Sequence, residues 1–125
     1  MIGQTVVMRE VLVSLPLGVG VLRLDDGSVV VTDDVGVGGG CHLVEGDRFH
    51  PVKSSVDGER CVVGGLHPPG ALSVEAVDDR GVRVPAAVAH EAYVAVLEQP
   101  DDGSEPIICC RDADGRPVRR PRPDV

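Results

Sequence analysis

Residues 73–97 read SVEAVDDRGVRVPAAVAHEAYVAVL, and this stretch decides the fold class. A turn signal, Asp78-Asp79-Arg80-Gly81, separates two runs in which apolar and polar residues alternate. Successive side chains of a strand point to opposite faces, so alternation on both sides of an Asp/Gly turn predicts a β-hairpin. The stretch ends in the unbroken apolar run Tyr93-Val94-Ala95-Val96-Leu97. A short continuous run of this kind predicts a strand buried on both faces. Pro85, the alanines after it and Glu91 would also permit a helix to begin there. The β-branched and aromatic residues Tyr93, Val94 and Val96 favour strand for the second half.

The same pattern recurs outward. TVVMREVLVS at 5–14 predicts a first strand ended by Pro16. Residues 19–25 and 28–32 predict a hairpin about Asp25-Asp26-Gly27, and the glycine-rich loop 36–40 follows. Residues 41–52, CHLVEGDRFHPV, suit a short strand, a turn and an irregular return. Asp57-Gly58 predicts a turn before a strand at 59–63, and Gly64-Gly65 and Pro68-Pro69-Gly70 punctuate the midpoint. A polar turn at 100–106, a short strand at 107–111, a turn at Asp112-Gly115 and a Pro/Arg-rich tail at 119–125 complete the chain.

The expected fold is therefore all-β with little or no helix: a small β-sandwich, or partly open barrel, built from antiparallel hairpins. One domain over 1–118 is expected, with sub-lobes at 1–66 and 70–118, since halves of that size would be marginal alone. The turn spacing is too uneven for a solenoid or propeller. The paired hairpins and the closing phrase RDADGRPV at 111–118 resemble small transthyretin-like or immunoglobulin-like sandwich modules over about one hairpin. That resemblance implies a sandwich and carries over no residue roles.

Composition narrows the function classes. The aromatic residues are Phe49 and Tyr93 with no Trp, so the core must be built from Val, Leu, Ile and Ala. Twelve basic against twenty acidic residues give a net charge of −8. Such a surface is repelled by phosphate backbones and anionic lipid, and it lacks the aromatic platforms on which bases stack. No nucleic acid and no membrane partner is expected. Residues 6–17 are interrupted by Arg9, Glu10 and Pro16, unlike a secretory signal. A cytoplasmic location with the four cysteines reduced is the expectation.

Five residues within 27 positions, Cys41, His42, His50, Cys61 and His67, have side chains that ligate zinc. No Cys-x-x-Cys or other paired ligand spacing accompanies them, and Cys41 and His42 would point to opposite faces of a strand. The plainer reading makes these cysteines small buried hydrophobes. Cys109-Cys110 beside Arg111 would offer a thiolate of lowered pKa if the guanidinium faced it; strand alternation instead turns one cysteine to the core. The 36–40 loop lacks the Gly-Lys-Ser/Thr of a phosphate loop, so it reads as a connection. The paired acids Asp25-Asp26, Asp33-Asp34, Asp78-Asp79 and Asp101-Asp102 read as turn formers.

These absences point to a non-catalytic protein-interaction or accessory module with no cofactor. Its expected partner is another protein, of basic character given the charge. The surfaces foreseen are an edge strand at 59–63 offered for β-augmentation, or the loops at one end of the sandwich. The alternative is a small zinc-binding or thiol-dependent enzyme using the segment 41–67.

Overall fold

Residues 73–97 fold into four strands. In a computed structural model of the chain, β7 (Ser73–Val77) and β8 (Arg83–Pro85) form a hairpin, and β9 (Ala87–Ala89) and β10 (Ala92–Glu98) form the next. The structure describes residues 10–16, 18–24, 27–32, 41–44, 51–55, 60–98 and 106–118, with backbone alone at 41, 42, 54 and 55. The loop at 36–40, the turn at Asp57-Gly58, His50 and the tail at 119–125 lie outside the described residues. No helix occurs among the described residues, and none is therefore long and apolar enough to cross a membrane.

Before that stretch come β1 (Glu10–Ser14), β2 (Gly20–Arg23), β3 (Val29–Thr32), β4 (Cys41–Leu43), β5 (Val52–Ser55) and β6 (Arg60–Leu66); after it comes β11 (Ile107–Arg111). All pairing is antiparallel, in three sheets ordered β1-β2-β3-β4, β5-β6-β10-β9 and β11-β7-β8, none of which closes into a barrel. The hairpins expected from the sequence thus stack in three layers.

The second sheet lies in the middle, and its centre is the seven-residue pairing of β6 with β10, from Ala92↔Leu66 to Glu98↔Arg60. Alternation along these two strands feeds two cores. Val62, Ala92 and Val94 pack with Leu12, Val19, Val21 and Val31 of the first sheet or its turns. Cys61, Val63, Tyr93, Ala95 and Leu97 pack with Val74, Ala76 and Cys110 of the third. Each buried Val contributes about 1.5–3 kcal/mol, so β-branched side chains supply what aromatics usually would. The unbroken run at 93–97 follows from this position: both of its faces are covered.

The central place of β6 corrects one expectation. Residues 60–63 are no edge, because β6 is hydrogen-bonded to β5 on one side and β10 on the other, leaving no free ladder for an added strand. Gly64 and Gly65 are interior residues of this strand. A Cβ at Gly64 would come within 2.9 Å of the Tyr93 carbonyl and 3.2 Å of Val31 Cγ2, so glycine permits the close approach of the first and second sheets.

Four hairpin turns share one design, at 15–19, 24–28, 78–82 and 112–116. In each, the first residue's N–H donates to the fifth residue's carbonyl, and a glycine N–H at the fourth position donates back to the first. Those glycines, Gly18, Gly27, Gly81 and Gly115, have φ of 76–88°, the left-handed conformation that glycine adopts without strain. The turn at 15–19 adds Pro16, which joins β1 to β2 as well as ending β1. The β9–β10 turn differs: His90 and Glu91 have φ of 52° and 66°, the positive pair of a two-residue primed turn. His90 also reaches back to β1. A register shift between Val11 and Val13 leaves Leu12 outside the ladder, and His90 Nδ1–H donates to its carbonyl at 3.0 Å.

Candidate functional site

The turn Asp78-Asp79-Arg80-Gly81-Val82 is fastened by its first side chain. Asp78 Oδ1 accepts the backbone N–H of Arg80 and of Val82, both at 2.9 Å. This is the local bonding that makes Asp a turn former, and Asp112 repeats it toward Asp114 and Arg116. The Asp78 carboxylate is 5% exposed. The Val82 hydrogen bond, helped by the Arg80 amide and guanidinium, holds its pKa below the ordinary value although burial pulls the other way. It is a fixed negative charge at neutral pH.

Arg80 Nη2 donates to Asp78 Oδ2 at 3.5 Å and also to Glu98 Oε2 at the end of β10. The hairpin turn of the third sheet and the last residue of the second sheet's central strand are thereby brought together. Between them opens a cleft of about 410 Å³, with Val82, Val84, Val96 and Leu97 as apolar lining and Asp78, Arg80 and Glu98 at its polar rim. That volume lies at the small end of the roughly 300–1,000 Å³ typical of binding sites. Val82 is 51% exposed, large for an aliphatic side chain beside a concavity. An apolar floor within a charged rim is how protein-binding surfaces are composed.

Of the residues singled out for zinc, Cys61 and His67 are the two whose side chains the structure describes, and these two do not converge. Cys61 lies near the start of β6 and His67 just past its end, six residues or about 20 Å apart along an extended strand, beyond the reach of one ion. Cys61 is buried in the core between the second and third sheets, where burial pushes its thiol pKa up. His67 is buried, with Nδ1 3.0 Å from the Pro68 carbonyl. Cys41 and His42 lie on β4, opposite Thr32 and Val31. His50 is outside the described residues. Among the described residues no three His, Cys, Asp or Glu side chains gather as a metal site would need.

Cys109 and Cys110 separate as strand alternation predicts. Cys110 is in the core, its thiol pKa raised by burial and by the neighbouring Cys109, while Cys109 is half-buried on the other face opposite Glu75. Arg111 turns to Glu75, at 3.9 Å, and to the Gly115 carbonyl, at 3.0 Å.

Sequence reasoning missed the rim. Asp78 and Arg80 read only as turn residues, and nothing in the order of the chain links them to Glu98. The available signal was the run Val82-Arg83-Val84 directly after the turn, too general to single out. Comparison with known proteins finds no matching family model, no matching curated protein and no matching solved structure, so the cleft must be read from its own geometry.

Proposed function

We propose that this protein is a non-catalytic interaction module that binds a basic protein partner through the cleft between the 78–82 turn and the end of β10. The observation that carries the reading is the exposed Val82 on an apolar cleft with two carboxylates at one rim. The lining offers an anchor pocket, which is where binding energy concentrates in protein interfaces. The carboxylates, within a chain of net charge −8, steer a cationic partner toward it. Of the two surfaces considered from the sequence, this one belongs to the loops at one end of the stacked sheets. Of the described cysteines, Cys61 and Cys110 are buried with raised thiol pKa, which disfavours these two as nucleophiles.

Affinity capture with the full chain tests this, run beside a Glu98→Lys variant that reverses the rim charge. A basic protein retained by the wild type and lost by the variant supports the reading. Capture that is indifferent to the variant refutes the cleft as the site.

A further inference from the structure

We infer that the rim of the cleft is a seat for a partner's arginine, and that Arg80 occupies this seat in the free protein. The inference rests on the cleft being the binding site. Asp78 Oδ2 and Glu98 Oε2 come from different sheets yet converge on a single nitrogen, Arg80 Nη2. A guanidinium is therefore already the group that this geometry holds. Its hold is slight. Arg80 is 60% exposed and Glu98 71% exposed, and one nitrogen of the guanidinium makes both contacts, leaving the paired fork of an arginine–carboxylate bond unused. Asp78, in contrast, is immobilised by its two turn hydrogen bonds, so one anionic wall of the seat stays in place when Arg80 swings out.

Asp78 and Glu98 share Arg80; the exposed Asp79 adjoins them on one side and Arg60, the register partner of Glu98 on β6, on the other. The apolar lining begins beside the seat at Val82 and continues to Val84 and Val96. The occupant that fits is an extended segment with an arginine next to an aliphatic residue: the arginine takes the position of Arg80 Nη2, and the aliphatic side chain lies on the valines. Arg80 then acts as an internal competitor that sets the affinity.

The test uses the full chain and the peptide acetyl-Leu-Arg-Val-amide, followed through backbone amide shifts at low ionic strength. Saturable shifts are expected at 78–84 and 96–98. Arg80→Ala is expected to bind about two- to fivefold more tightly, the range that an exposed ion pair represents. Glu98→Gln, which removes one wall, is expected to weaken binding by a similar factor. If the peptide shifts the cleft amides but Arg80→Ala binds equally or more weakly, Arg80 is part of the recognition surface and this inference is overturned while the site stands. If the shifts fall elsewhere, or none saturates, both the inference and the cleft reading are overturned.

Discussion

Gly64→Ala is a severe test of how the layers are held together. Gly64 is not among the glycines of positive φ, so its backbone accepts alanine and the question is one of space. The new Cβ would lie 2.9 Å from the Tyr93 carbonyl oxygen, 3.2 Å from Val31 Cγ2 and 3.3 Å from Val21 Cγ2. A valine methyl can retreat by a few tenths of an ångström, but the carbonyl belongs to the β6–β10 ladder itself. Relief therefore requires the central pairing to shift. Overpacking of this kind costs about 1–3 kcal/mol. Losing glycine's freedom in the unfolded chain returns about 0.4–1 kcal/mol. The expected net loss is about 1–2 kcal/mol. With a urea m-value of about 1.5 kcal/mol/M for a chain of this size, the unfolding midpoint should fall by about 1 M. Gly65→Ala is the control: its nearest neighbour is the Tyr93 hydroxyl at 3.3 Å, a looser approach than the 2.9 Å to a backbone oxygen at Gly64, and its midpoint should move less. A Gly64→Ala midpoint at or above the wild-type value would refute the close stacking of the first and second sheets.

Three further outcomes are expected. His90→Ala removes the donor that satisfies the Leu12 carbonyl and should cost about 1–3 kcal/mol in urea unfolding, whereas an unchanged midpoint would show that this contact adds nothing. The depressed pKa of Asp78 means the folded state binds its proton less readily than the unfolded state, so this group's stabilisation is present above about pH 4 and is lost as pH falls through the lower folded value. Asp78→Asn should accordingly flatten the acid limb of the stability–pH curve, and an unaltered acid limb would count against that role. Burial raises the pKa of Cys61, Cys110 and Tyr93, which gives the opposite sign: their contribution is intact below the unfolded values, about 8.5 for the thiols, and is lost as pH rises through the folded ones. In native protein at pH 7.5, Cys109 should react with a thiol reagent before Cys61 and Cys110, and equal rates for the three would contradict the packing described.

Much of the local structure was legible. The turn at 78–82 could be read because Asp78 bonds its own following amides and Gly81 takes a positive φ, both consequences of residue type alone. The hairpin 20–32 was legible from Gly27, which takes a positive φ, and the strand at 107–111 from its short apolar run. The β9–β10 turn was not, because His90-Glu91 resembles none of the Asn-Gly or Asp-Gly pairs that announce a primed turn. Here tertiary contacts, among them the bond from His90 to Leu12, outweigh local preference.

By itself the sequence determined that the chain is all-β, where the turns at 24–28, 78–82 and 112–116 fall, and that valine would build its core. These follow from period-two alternation, from β-branching, and from the few residues able to adopt positive φ, all of which act within a handful of neighbours. Only the tertiary structure decided which strand lies inside. Residues 60–63 present the same alternation whether β6 is an edge or a centre, and its pairing with β10, from Ala92↔Leu66 to Glu98↔Arg60, makes it the centre. The cleft has the same origin. Asp78 and Arg80 sit on one hairpin and Glu98 on another, and their meeting depends on how two sheets stack, which no local rule encodes.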